Sequence, residues 1–220
     1  VCVALIVWHY NVRVRAEPDA ERPPAVEQQR RSPASDVRAH TGFFVRSTLS
    51  GGYTLVTTTL PPSQGPGQFA FKGFGWGLAA DIGAAVIPNL IVHLRLLFHV
   101  LRNPDASVDG QSTGSTSKTS VIETAGGVGA TYYVMPAHVY MTVAIGLAGL
   151  ILTLEQLNAQ ANTNAGFWGN ADIGIETWLG SAWSGGIAAR VMYAAMPGGD
   201  GSDVSAVNVG LVLSLSGNLF

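Results

Sequence analysis

The sequence predicts an all-β fold, an eight-stranded antiparallel up-and-down transmembrane β-barrel. Three observations carry this. The chain is 47% hydrophobic and only 12% charged, about half the usual share of charge. It holds no apolar run of the roughly 18–20 residues that a membrane-spanning helix needs. From Gly42 onward, alternating apolar segments are joined by connections that are tiny and long by turns. A chain this apolar, without spanning helices, can cross a bilayer only as a closed barrel.

Charge is concentrated at the front. Residues 1–40 hold 6 of the 12 Lys/Arg, which leaves 6 for residues 41–220. A water-exposed surface of that length would carry roughly three times as many. The opening VCVALIVW reads as the remnant of a signal-peptide apolar core, with Val14-Arg15-Ala16 as a cleavage-like spacing. Residues 17–40, rich in Pro, Glu, Gln, Arg and Ala, read as a flexible linker. The expected organisation is therefore a signal remnant with linker over 1–40 and a barrel over 41–220. A net charge of −2 points away from nucleic acid, and the lone Cys2 excludes an internal disulfide and a cysteine-rich metal site.

The short connections centre on Ile87-Pro88-Asn89, Pro136-Ala137-His138 and Ser181-Ala182-Trp183. The long ones are 60–67, 102–119, 156–165 and 197–203, all of Gly/Pro/Asn/Asp-rich loop chemistry. Cutting there predicts strands over 42–59, 68–86, 90–102, 119–135, 139–155, 166–180, 184–196 and 203–219. The run LIVHLRLLFHVL (90–101) also fits an amphipathic helix when read alone. Its place in the series makes it the third strand, with Leu90, Val92, Leu94, Leu96, Phe98 and Val100 on one face.

Every segment has one apolar parity, charged only toward its long-loop end where it is charged at all (Lys72, Arg102, Glu155 and Asp203), and one small or polar parity. In the second strand Phe74, Trp76, Leu78 and Ile82 alternate with Gly75, Gly77, Asp81 and Gly83. A soluble lipocalin-like barrel would turn the apolar parity inward, and a membrane barrel turns it to lipid. The small/polar parity is too poor in Lys and Glu for a solvent surface, so the membrane arrangement is expected. Aromatic residues collect at strand ends: Phe43, Phe44, Tyr132, Tyr133, Tyr140, Trp178 and Trp183 at the short-turn rim, and Phe69, Phe71, Phe98, Phe167, Trp168 and Tyr193 at the long-loop rim. They are expected to form two interfacial belts.

The inward parity then collects Arg46, Asp81, His93, Arg95, Glu123, Asp172, Glu176 and Arg190. An unpaired charge there would be very costly. Three arginines and four carboxylates can nearly balance, and an eight-stranded barrel is just wide enough for side chains to fill. The expectation is a structural ion-pair network with Gly73, Gly75, Gly77 and Gly83 making room for Arg46 and Arg95. No catalytic residue, cofactor or metal site is expected. The chain lacks a P-loop, and its GxSxG match, Gly110-Gln111-Ser112-Thr113-Gly114, lies inside the long Ser/Thr/Gly-rich loop 102–119 rather than at a strand-to-helix turn. His93 and His99 lie roughly 20 Å apart along a strand, too far to chelate together.

With its alternating strands, its uneven loops and its ending NVGLVLSLSGNLF, the stretch 42–220 resembles the small outer-membrane barrels of the OmpA/OmpX type. The resemblance implies a place in the bacterial outer membrane with both termini periplasmic, and Phe220 as an assembly signal read by the barrel-assembly machinery. Val209, Leu211, Leu213, Leu215 and Leu219 are out of phase with Phe220, and a bulge near Gly217-Asn218 would restore the phase. The expected partners are outer-membrane lipid, that machinery and an extracellular ligand met through the long loops. The role expected is structural, anchoring or surface-interacting rather than enzymatic. A narrow channel for ions or small solutes, a membrane-embedded lipid enzyme and a soluble ligand-binding barrel remain alternatives.

Overall fold

The computed structural model describes residues 39–61, 63, 67–115, 118–154, 158–199 and 201–219. The signal remnant, the linker up to residue 38 and Phe220 lie outside the described residues. The described strands are β1 (Phe43–Thr59), β2 (Gln68–Ile87), β3 (Leu90–Arg102), β4 (Asp105–Val108), β5 (Gln111–Ser115), β6 (Thr119–Val134), β7 (Val139–Leu154), β8 (Ala159–Asn162), β9 (Gly166–Trp178), β10 (Trp183–Pro197) and β11 (Asp203–Leu219). Eight of them, all but β4, β5 and β8, pair antiparallel in chain order. β1 pairs with β2 on one side and β11 on the other over its whole length, which closes the ring. Closure leaves no long sheet edge unpaired, the condition for strands in lipid.

The three short connections are tight. Asn89 and His138 take left-handed backbone conformations, φ 67° and 55°, within the polar turns expected there. Two long connections hold more order than sequence reading assigned. Within the connection 102–119, β4 and β5 form a hairpin, with β4 pairing onto the Phe69–Lys72 end of β2. Asp109-Gly110 turns it, both with positive φ (48° and 79°). An Asp-Gly pair between extended segments is a strong hairpin signal. Within the connection 156–165, β8 pairs back onto β7.

The apolar parity faces out. Leu94, Leu96, Ile145 and Leu211 are each 59–69% exposed, while Arg46, Asp81, Arg95 and Arg190 are buried inside. A band of exposed aliphatic side chains around a charged interior is the order of a membrane barrel, inverted from that of a soluble one, and it removes the lipocalin-like alternative.

The aromatic belts need correction. Phe43, Tyr132, Trp183, Phe69, Phe98, Phe167 and Tyr193 are exposed at strand ends, but Phe44, Tyr133, Tyr140 and Trp168 are fully enclosed in the lumen. Their parity decides this. Phe44 shares the inward parity of Arg46, Tyr133 that of Glu123, Tyr140 that of Thr142, and Trp168 that of Asp172. No bulge near Gly217-Asn218 restores the phase of the last strand. The register of β11 against β1 runs unbroken from Asp203↔Thr59 to Leu219↔Phe43.

A charged lumen stacked in three layers

All eight candidate residues stand on inward parities and all are buried. The structure sorts them into layers along the axis.

At the short-turn end sits Arg46. Its cross-strand neighbours are Asp81 and Ser216, yet its guanidinium reaches over the lumen to Glu176, with Nη2 donating to Oε2 at 3.2 Å. It also donates to Ser216 Oγ (2.9 Å), Thr142 Oγ1 (3.3 Å) and the Tyr133 hydroxyl. Three rings enclose it: Tyr140 with its centroid 4.6 Å away, Phe44 at 5.0 Å and Tyr133 at 5.8 Å. A guanidinium over aromatic faces is stabilised by the ring quadrupole, more so where water is excluded. Glu176 accepts further from the hydroxyls of Tyr133, Ser184 and Ser216.

Below this cage the chain entering β1 closes the rim. The His40 ring stacks on Tyr133 at 3.5 Å and on Trp178 at 4.7 Å. His40 N–H donates to Asn89 Oδ1 and its carbonyl accepts from Asn89 N–H, each at 3.0 Å. Its Nδ1 lies 3.1 Å from Asn218 Nδ2. Burial pushes the His40 imidazole down to about 4 against the pull of Glu176. It is therefore neutral, and Asn218 Nδ2 donates to Nδ1.

The middle layer is an ion-pair chain. Asp81 and Arg95 are direct cross-strand partners, joined by two parallel bonds, Nε to Oδ1 at 2.6 Å and Nη2 to Oδ2 at 2.7 Å. Arg95 Nη1 continues to Asp172 Oδ2 (3.0 Å) and Asn170 Oδ1 (2.9 Å). Asp172 accepts two bonds from its own cross-strand partner Arg190, at 2.7 and 3.0 Å. The forked geometry is the one that makes Arg–carboxylate pairs strong. His93 packs beside it, its Nε2 3.2 Å from Thr131 Oγ1 and its Nδ1 3.8 Å from Asp81.

Glu123 does not join. It is buried, its Oε1 has no hydrogen-bond partner, and the described ion pairs do not include it. It sits toward the long-loop end, beside His99 in the β3–β6 register. His99 Nε2 is 3.5 Å from both Thr54 and Asn208. Sequence reading found His99 but not these partners. It also missed Tyr133, Asn170 and Asn208, whose inward parity was the available signal. The glycines serve a different neighbour from the one expected. A Cβ on Gly75 would lie 2.6 Å from the His99 ring, and one on Gly129 would lie 2.5 Å from the His93 ring. Gly75 and Gly129 make room for histidine rings, while Gly73 lies against Leu101 and Gly83 against the backbone of Val92 and His93, and Arg46 and Arg95 side chains are not among the nearest atoms of any of them.

The outermost layer is apolar. Val56, Leu101, Val121, Leu150, Trp168, Met192, Met196 and Val204 form one buried cluster, and a cavity beside it is lined also by Ala161 and Asn162 of β8 and by Gly198, Gly199 and Ser202.

No family model and no curated protein sequence matches the chain. Its backbone is similar to solved structures. Neisserial surface protein A superposes with a TM-score of 0.51 at 12% identity, covering 81% of this chain and 98% of that one. With the closed ring and the apolar outer band, this decides the fold. The chain is a small eight-stranded outer-membrane-type β-barrel. The barrel also has matches to Ail of Yersinia pestis (TM-score 0.40, 11% identity, 77% and 97% covered) and to OprG of Pseudomonas aeruginosa (0.45, 12%, 81% and 99%). Identities this low speak for the fold of the barrel alone.

Proposed function

We propose that the barrel is a closed, non-enzymatic anchor of the bacterial outer membrane. Both termini lie on the periplasmic side, and the long-loop rim faces outward to meet an extracellular ligand. One observation carries this reading. The lumen is crossed by the linked pairs Asp81–Arg95–Asp172–Arg190 and capped at the short-turn end by Arg46, its three rings and His40. A charged side chain held by two or more bonds to buried partners leaves little room for a hydrated ion to pass, and buried networks satisfied in this way rigidify the structure around them. Insertion of the chain would be assisted by the barrel-assembly machinery.

The long-loop rim supports the outward-facing role. The β4–β5 hairpin presents Gln111, Ser112, Thr113 and Gly114 to solvent on a framework tied to β2. The three short turns at the other rim have no comparable surface, because they span only a few residues each.

Planar-bilayer recording on refolded protein tests the closure. The expected trace stays at background, and stepwise conductance would replace the anchor with the narrow channel. Deleting residues 105–115 tests the surface role. Folding should be spared while contact of protein-bearing vesicles with a target surface is lost, and unchanged contact would reject the loop as the contact site.

A further inference from the structure

The cavity at the long-loop mouth has a volume of about 330 Å³, within the lower range of small-molecule sites. Its apolar lining is Val56, Phe71, Val121, Leu150, Leu152 and Val204. These come from five strands of the ring, β1, β2, β6, β7 and β11. The rest of the lining comes mainly from the two long connections 156–165 and 197–203, through Ala161, Asn162, Thr163, Gly198, Gly199 and Ser202. Among the described residues no charged side chain lines the space.

The loop side of the cavity is clipped to the barrel wall. β8 lies against β7, with Ala161 opposite Leu152 and Asn162 opposite Ile151. Thr163 N–H donates to the Leu150 carbonyl at 3.0 Å, and Thr163 Oγ1 accepts from Leu150 N–H at 2.9 Å. Thr163 also forms an antiparallel bridge to Gly198. Asn164 N–H donates to the Pro197 carbonyl at 2.8 Å, and Gly198 N–H donates to the Ser202 carbonyl at 2.7 Å. The two connections are thus tied to each other and to β7. A site held this way needs little ordering when a ligand enters.

We infer that the mouth cavity is a binding site for a compact, uncharged, apolar molecule. Water in an apolar space finds few hydrogen-bond partners, and a hydrocarbon entering it leaves water behind. A charged ligand would lose its hydration with no countercharge in the lining. The volume corresponds to roughly eleven water volumes, which suits a ligand of about a dozen non-hydrogen atoms rather than a lipid with long chains. No residue of the hairpin 105–115 lines the cavity. The site therefore stands whether or not that hairpin makes a surface contact, and whether or not the lumen conducts.

The test uses the full barrel in zwitterionic lipid nanodiscs with methyl-labelled Val and Leu. Two probes of one shape are compared, the neutral 1-adamantanol and 1-adamantylammonium. The expected result for the alcohol is saturable shifts of the Val56, Val121, Leu150 and Val204 methyls while lipid-facing Leu94 and Leu213 stay unmoved. The ammonium should bind at least about tenfold more weakly, because its charge would be stripped of water. Ala161→Trp narrows the cavity from β8, a strand outside the closed ring, and Val204→Phe narrows it from the wall. Each should abolish the alcohol's shifts at the remaining cavity methyls while the barrel still changes mobility on boiling. Equal binding of the two probes would overturn the apolar character of the site. Full binding to both variants, or shifts that Leu94 and Leu213 share, would overturn the site itself.

Discussion

Arg95 shows how a charge survives in the middle of an apolar strand. It is fully enclosed and donates to two aspartates and an asparagine. Removing it by Arg95→Leu leaves Asp81 buried without its fork and Asp172 with one arginine instead of two. Breaking a buried pair from one side typically costs about 3–5 kcal/mol. The urea midpoint of the refolded barrel should fall accordingly. Replacing both partners, Asp81→Leu with Arg95→Leu, should recover much of the loss, because the uncompensated charge is gone. A double variant no more stable than Arg95→Leu would reject the pair as the origin of the effect. His40 gives a second prediction, with a pH sign. Its pKa falls from 6.5 in the open chain to about 4 in the fold, so the unfolded state binds the extra proton between those values. Stability should therefore drop as pH is lowered from about 6.5 to about 4. His40→Phe keeps a ring against Tyr133 and Trp178 and removes the titration. Its melting temperature should vary less over that window than that of the unmodified protein.

At the scale of elements, the alternation of every barrel strand was legible in the sequence because a strand's side chains change faces at each residue. The hairpin over 105–115 was legible as well, through Asp109-Gly110, but a segment rich in Ser, Thr and Gly without apolar alternation read as loop. Its order comes from pairing with the outer end of β2, a contact between distant segments. Gly110 at φ 79° is a position where a branched side chain is strained. Gly110→Val should loosen the hairpin and leave the barrel intact. Faster protease cleavage within 105–115, with an unchanged barrel melting temperature, is the expected readout. The misplacement of Phe44, Tyr133, Tyr140 and Trp168 belongs to this scale too. Nearness to a strand end suggested a membrane belt, while parity put each ring inside. Parity prevails because a side chain cannot reach the other face of a sheet.

For the whole molecule, the outer surface sets the environment in which the fold is stable. Leu94 is 64% exposed on the apolar band. Leu94→Arg should cost about 2–4 kcal/mol if it lies near the bilayer midplane, and less toward a rim. Reversible unfolding in lipid vesicles measures this. Residues 41–220 refolded into micelles should run differently on a gel before and after boiling. A chain that refolds in plain buffer to a monodisperse state would contradict the membrane orientation of the two faces.

The sequence by itself determined the eight barrel strands and which of their faces turns outward. These follow from local rules: period-two alternation, turn chemistry, and a shortage of charge that no solvent surface would have. Which charges meet was decided only by the tertiary structure. Asp81 and Arg95 are cross-strand neighbours, but Arg46 bonds to Glu176 on the far side of the ring and Glu123 is left alone. Such pairings depend on the stagger accumulated around eight strands before the first and last join. That stagger is a property of closure, and no single strand or hairpin contains it.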